Sequence, residues 1–351
     1  RHQDLIERAN RALGRLDGVA MLSPETSIFL YAYVRKEAVL SSQIEGTQSS
    51  LSDLLLYESK EVPGVPLDDV EEVSTYVAAM NHGLKRIRGG FPLSLRLLRE
   101  IHKILLSTGR GSNKAPGEFR VTQNWIGAKG ANLSTASFVP PPVPDMNAAL
   151  DNFEKFLHER REHPERPQYP VILECALVHA QFETIHPFLD GNGRLGRLLI
   201  ALLLHERGVL LKPLLYLSLY LKGNRLEYYD RLTAVRKKGD WEGWSKFLLK
   251  GVEQTALEAV ETARKVIAFR EQAMRTASAL GANELKIVEF LFAHPLTDIQ
   301  TVAKHLDVVY NTAAAAIRRL ESAGLIKETT GRRRSRVYRF FAYLDLFEVP
   351  A

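Results

Sequence analysis

The chain has 351 residues, 45% of them hydrophobic and 25% charged, with a formal net charge of +6. Such a balance excludes disordered, collagen-like and repeat-dominated chains, and the length points to two or three domains. A membrane span is excluded because the longest apolar run, Leu198–Leu204, falls far short of ~18 residues, and the single cysteine, Cys175, excludes a disulfide framework or a cysteine zinc site.

No secretory signal is visible; the chain begins at Arg1 rather than Met, so a leader or a few residues are expected to be missing, and a reducing, cytoplasmic setting is the default expectation. Leu5, Ala9, Leu13 and Leu16 recur at helix spacing. Ser23-Pro24-Glu25 opens a second helix, with Ser23 as N-cap, and Gly46 stops it after Glu45. A short helix over Ser52 to Tyr57 follows, then a loop over Glu61 to Pro66, then helices over 68–87 and 94–106. Residues 107–144 hold five of the 23 glycines and five of the 16 prolines. That composition predicts an irregular segment with a hairpin, its short strands at Phe119-Arg120-Val121 and Ala136-Ser137-Phe138-Val139. A loop this long inside a compact domain is usually functional.

Helices return over Met146–Arg160, Val171–Glu183, Gly193–Arg207, 225–236 and 241–280, the last expected to divide in two. Gly281-Ala282-Asn283 marks a boundary. The expected domains are a helical region over 1–105, a core over 106–280 and a C-terminal domain over 281–351. That last part has helices at 284–292, from Thr297 and over 313–320. A hairpin follows, with a basic tip at Arg332, Arg333, Arg334 and Arg336.

The most informative string is His186-Pro187-Phe188-Leu189-Asp190-Gly191-Asn192-Gly193-Arg194-Leu195-Gly196-Arg197. A glycine-rich turn that opens a helix presents backbone N–H groups and a positive dipole end to an anion. Arg194 and Arg197 stand three apart on one helix, which suits neighbouring phosphates. Asp190 is a hard oxygen donor suited to a magnesium ion shared with phosphate oxygens. His186 is the group able to accept a proton near neutral pH. Together they point to chemistry on a nucleotide phosphate. Gly191-x-Gly193-x-x-Gly196 also fits the dinucleotide fingerprint, but a helical pattern precedes it where that fingerprint needs a strand. His179 lacks a third ligand at metal spacing and is read as a packing residue.

The whole string closely resembles the Fic family signature, from His-Pro-Phe through Gly-Asn-Gly-Arg to the closing Arg, and the resemblance runs over roughly residues 20–260. It implies a mainly α fold: a Fic-type helical core with a β-hairpin flap. It implies transfer of AMP from ATP to a Ser, Thr or Tyr hydroxyl of a target protein, with Mg2+. In that scheme His186 is the base and Asp190 holds the metal. Gly191, Asn192 and Gly193 form the anion hole, Arg194 and Arg197 hold the β- and γ-phosphates, and Leu195 and Gly196 count with them among the ATP- and phosphate-binding positions.

Ser41-Ser42-Gln43-Ile44-Glu45-Gly46 resembles the family's inhibitory motif. By that resemblance Ser41 and Glu45 form a brake, Glu45 taking Arg197 from the γ-phosphate so that ATP binds with its α-phosphate misplaced. Ser137, Phe138 and Val139 resemble the flap that pairs with a target's extended backbone. Tyr229, with Tyr228 as alternative, resembles the aromatic that stacks on adenine; Arg236 falls where some relatives carry Asn.

Residues 284–345 resemble a winged helix-turn-helix domain, which suits DNA phosphates or protein docking equally. The partners implied are ATP, a target protein (the enzyme itself by auto-AMPylation included), DNA or protein at the winged helix, and a second copy in a homodimer. The competing readings are an ATP-sensing DNA-binding regulator and a Fic enzyme that removes AMP or transfers another nucleotide or phosphate.

Overall fold

The computed structural model describes residues 2–22, 27–58, 65–127, 130, 132–332 and 335–347. The first helix, α1 (His2–Leu22), buries Leu5, Ala9, Leu13 and Leu16 as its spacing requires and lies along α11 (Trp241–Leu280). Next come α2 (Ser27–Ile44), α3 (Leu51–Glu58), α4 (Leu67–Arg88) and α5 (Leu95–Leu105). The expected cap at Ser23–Glu25 and much of the expected loop at 61–66 lie outside the described residues. Ser94 caps α5 by accepting from the Leu97 N–H at 3.4 Å.

The centre is an antiparallel pair, α7 (Val171–Ile185) and α8 (Asn192–Glu206), with Phe182, Ile185, Leu195, Leu199 and Leu202 all buried. Around it pack α4, α5, α6 (Val143–Glu162), α10 (Arg225–Lys238) and α11. A short helix, α9 (Ser218–Gly223), was not foreseen; it packs against α2.

The chain over 241–280 is one helix of 40 residues, not two. Asp240 caps it, accepting from the Gly243 N–H at 2.9 Å, and no proline interrupts it. Its buried row Trp244, Leu248, Val252, Ala256, Ala259, Ala263, Val266, Ala273 and Ala277 gives a continuous apolar seam to close upon. The 107–144 segment is irregular as expected, but its hairpin shrinks to one bridge, Ile126 with Phe138. Phe119-Arg120-Val121 is not a strand, because the Arg120 N–H is spent on the Pro187 carbonyl at 2.8 Å. The prolines at 140–142 end any longer ladder on the other side.

Past Gly281 come α12 (Ala282–Ala293), β1 (Leu296–Asp298), α13 (Ile299–Leu306), α14 (Tyr310–Ser322), β2 (Lys327–Glu328) and β3 (Val337–Arg339). The strands form an antiparallel sheet of order β1-β3-β2, with Thr297 opposite Tyr338 and Glu328 opposite Tyr338. β1 was missed because three residues carry too little pattern. Arg333 and Arg334 lie outside the described residues. The chain then turns through α15 (Phe341–Leu344) and a 3-10 turn, Asp345–Phe347, and buries Phe347 against Tyr33 of α2, ring centroids 5.5 Å apart. No helix among the described residues is long and apolar enough to cross a membrane.

Candidate active site

α7 ends at Ile185, and the chain reaches α8 through a loop with two left-handed residues, His186 (φ 51°) and Gly191 (φ 76°). Gly191 suits that conformation; at His186 the neighbours hold it. The Asn192 side chain accepts from the Phe188 N–H at 2.9 Å and donates to the Phe188 carbonyl at 2.8 Å, and Asn124 donates to the same carbonyl at 2.9 Å. Asn192 therefore braces the loop with its side chain. The first helical bond of α8 runs from Leu195 N–H to the Gly191 carbonyl, so the N–H groups of Asn192, Gly193 and Arg194 have no intrahelical acceptor and face the loop. That is an anion cradle.

Glu45, just past the end of α2, lies across it. Its Oε1 accepts from Arg197 Nη2 at 2.7 Å and lies against Gly193, where a Cβ would force the carboxylate to shift. Ser41, one turn earlier, takes the other edge of Arg197: its Oγ accepts from Nε at 2.8 Å and its carbonyl from Nη2 at 2.9 Å. Burial works to raise the Glu45 carboxyl, but the Arg197 guanidinium outweighs it and holds the group below the usual range. Ser41, Glu45 and Arg197, distant in sequence, are thus brought together. Arg194 points elsewhere, to Glu72 of α4 at 3.2 Å and Asp190 at 3.7 Å. Its three guanidinium nitrogens are buried without a well-formed hydrogen bond. Arg110 completes the ring, 3.2 Å from Glu72 and donating to the Glu45 carbonyl at 3.3 Å.

The His186 ring is largely buried. Desolvation, helped by the Arg236 charge, lowers it to about 4, so the imidazole is neutral at physiological pH and can accept a proton. Arg120, buried beneath the loop, donates to the His186 carbonyl at 3.1 Å and to the Pro141 carbonyl at 2.5 Å. It ties the histidine backbone to the foot of the flap. Asp190 is half-exposed; its Oδ1 accepts from the Gly191 N–H at 2.6 Å. Its carbonyl accepts from His102, which stacks on Phe188 with centroids 3.7 Å apart and accepts from the Gly117 N–H at 2.8 Å.

Ser137 and Val139 are exposed at the bridge with Ile126, and Phe138 lies under Arg236, whose guanidinium carbon is 3.9 Å from the ring centre. Tyr229 is 40% exposed beside the site. Tyr228 is core, its hydroxyl bonded to His179 Nε2 at 2.9 Å. His179 is the packing residue expected, with Nδ1 on the Gly196 carbonyl at 2.8 Å. Two of the positions expected to bind ATP and phosphate turn away from the cradle. The Leu195 side chain is in the core and its N–H is spent on Gly191, while Gly196 faces α7, where a Cβ would meet Glu183 and Phe182.

Two family models, the Fic/DOC family N-terminal region and the Fic/DOC family, match residues 3–85 and 92–204. The chain belongs to the Fic/DOC family. It is 31% identical over 218 residues to the protein adenylyltransferase Fic of Culex quinquefasciatus, covering 60% of this chain and 39% of that one. The corresponding Aedes aegypti protein is 30% identical over 216 residues, with the same coverage. The chain thus matches well under half the length of these relatives. Among solved structures it resembles a Fic family protein from Desulfovibrio desulfuricans G20 (TM-score 0.58, 19% identity, 95% of both chains). It also resembles a Fic-1 fragment from C. elegans (TM-score 0.53, 22% identity, 75% of this chain and 74% of that one). These likenesses establish the Fic fold.

Sequence reading missed Glu72, Arg110, His102, Arg120 and Glu183. The first four meet the Fic loop only through tertiary contact. Glu183 alone carried a local signal, one helical turn before His186.

Proposed function

We propose that the chain is a protein adenylyltransferase restrained by its own α2, and the observation that carries this is Glu45 seated on Arg197 over Gly193. An anion cradle that receives a carboxylate from its own chain is built to receive phosphate oxygens when that carboxylate leaves. The orphaned guanidinium nitrogens of Arg194 fit the same ligand.

In the proposed reaction the N–H groups of Asn192, Gly193 and Arg194, with Arg194 and Arg197, hold the phosphates of ATP. Tyr229 covers the adenine, and the edge at Ser137, Phe138 and Val139 registers an extended target segment. The target hydroxyl attacks the α-phosphorus, the bond to the β-phosphate oxygen breaks, and pyrophosphate leaves. Neutral His186 takes the hydroxyl proton. Asp190 offers one hard carboxylate, and no cluster of three metal-ligating side chains exists among the described residues. That donor set fits a magnesium ion completed by phosphate oxygens; when bound, it neutralises phosphate charge. Preorganised charge is the largest contribution to such a transfer.

Residues 281–351 are proposed as a winged-helix module docked on α2 and α11. On its α14, Arg319 pairs with the buried Glu284, and Val309 and Tyr310 are exposed at the start of the helix. These apolar side chains favour a protein partner over DNA.

The test uses purified protein, Mg2+ and ATP labelled at the α-phosphate, with covalent label on protein as readout. Wild type, Glu45→Gly and Glu45→Gly/His186→Ala are compared. Strong label only in the single variant supports the reading. No label in any lane, with lysate supplied as target, refutes it and turns attention to AMP removal or ATP-sensing regulation.

A further inference from the structure

Glu183 lies on α7 one turn before His186 and has no part in the chemistry above. Its carboxyl is buried, and its Oε1 has no hydrogen-bond partner. Its Oε2 is 3.9 Å from His186 Nδ1, a nitrogen that is also buried and unpartnered. The Glu183 carbonyl accepts from Arg236 at 2.9 Å and also faces the His186 ring. The carboxyl fits only because residue 196 is glycine, since a Cβ there would lie 2.6 Å from Oε1. A carboxyl kept only for packing would satisfy both oxygens; this one leaves Oε1 without a partner at Gly196 and directs Oε2 toward the unpartnered imidazole nitrogen.

We propose that Glu183 is a positioning carboxylate for His186: it holds the proton on Nδ1, turns Nε2 to the target hydroxyl, and stabilises the imidazolium formed when Nε2 takes the hydroxyl proton. This rests on the adenylyl-transfer reading. The electron pair of the target oxygen forms the new bond to the α-phosphorus, pyrophosphate leaves with the pair of the broken bond, and the proton rests on His186 until it passes to solvent. A buried imidazole resists charging, and an opposite charge within about 4–6 Å offsets that resistance. The charged and titratable groups facing Glu183 are His186 on its own loop, Arg197 from α8, Arg236, Tyr228 and Tyr229 from α10, and Glu45 beyond α2. Burial raises the Glu183 carboxyl to about 7, against Arg197 and Arg236. Transfer should therefore rise as the pH climbs through that region.

The experiment compares full-length Glu45→Gly with Glu45→Gly/Glu183→Gln. The second is expected to lose about tenfold or more in kcat, a share of what general-base catalysis contributes. KM for ATP should stay within about twofold, because uniform binding is untouched, and the rise of kcat with pH, which loss of the Glu45 charge moves to lower pH in the parent, should vanish. Unchanged kcat and pH profile in the double variant overturn the inference while leaving adenylyl transfer standing. An unlabelled Glu45→Gly parent overturns the transfer reading itself. Should the glutamine variant not fold, nitrogen NMR on the unsubstituted protein decides: the His186 proton is expected on Nδ1, and a proton on Nε2 overturns the proposal.

Discussion

Replacing Glu45 by glycine removes the carboxylate that holds Arg197 and lies over Gly193. A hydrogen bond between charged groups contributes about 1.5–3 kcal/mol. Arg197 is almost wholly buried, but Glu45 keeps 30% of its side chain exposed, so the lower part of that range applies. About 1.5–2 kcal/mol corresponds to roughly tenfold to thirtyfold in rate. Steric release adds to it, because Oε1 occupies the space in front of the cradle and a misplacement of about 1 Å costs up to about a hundredfold. The expected activation is therefore tenfold at least, reaching a few hundredfold if ATP is mispositioned while the carboxylate is present. Glu45→Gln keeps the shape without the charge and should fall between wild type and glycine. The assay is the initial rate of label transfer from α-labelled ATP, with ATP affinity measured separately. Refutation would be a glycine variant that binds ATP as wild type does and transfers no faster.

Glu72→Gln should cost about 3 kcal/mol in denaturant unfolding, because it strands the buried Arg194 guanidinium; a loss under 1 kcal/mol would show that the pair is not structural. His102 and His179 are each lowered to about 4 by burial, with protein hydrogen bonds opposing the shift. Each is neutral in the folded chain and protonated in the unfolded one between about pH 6.5 and 4. The stability they contribute is complete above about 6.5 and is lost as pH falls toward 4, by up to about 3 kcal/mol each. Melting curves from pH 7.5 to 4.5 should show that decline, and His179→Gln should flatten it. Tyr33→Ala should cost about 3 kcal/mol by emptying a core aromatic site and should raise basal transfer by loosening α2. Destabilisation with unchanged basal transfer would separate α2 docking from the brake.

Where periodicity decided an element, sequence and structure agree. α1, α4, α7, α8 and α10 sit where their apolar spacing placed them, and the glycine turn at 191–193 opens α8. Disagreement falls where tertiary contact decides. Arg120 carries apolar neighbours that look like a strand, yet its backbone is bound to the Pro187 carbonyl. No local signal says that α11 stays whole; α1 lying along it supplies that. The Fic loop residues were legible because a cradle needs contiguous glycine and arginine. The ring of Glu72, Arg110 and Arg194 was not, since a single sequence offers no means of joining positions 72, 110 and 194.

The proposed brake is built from residues four apart in sequence: Tyr33, Glu37 and Ser41 on one face of α2, and Glu45 just past its end. The Tyr33 hydroxyl donates to the Ala259 carbonyl at 2.7 Å, and its ring rests on Tyr216 and Phe347. Glu37 is buried, raised to about 7 by that burial against the Ser218 hydrogen bonds, and accepts from the Ser218 hydroxyl and N–H. Ser41 grips Arg197 from within the core. Glu45 alone lies beyond the helix, in a turn where its N–H donates to the Ser42 carbonyl, and it alone is substantially exposed. Lifting all of α2 would break every one of these contacts; swinging out the Glu45 side chain alone breaks only its pair with Arg197. The cheaper movement also leaves Ser41 holding Nε and Nη2 of Arg197. The guanidinium then stays aimed at the cradle when the carboxylate departs, ready for the oxygen of a phosphate in its place.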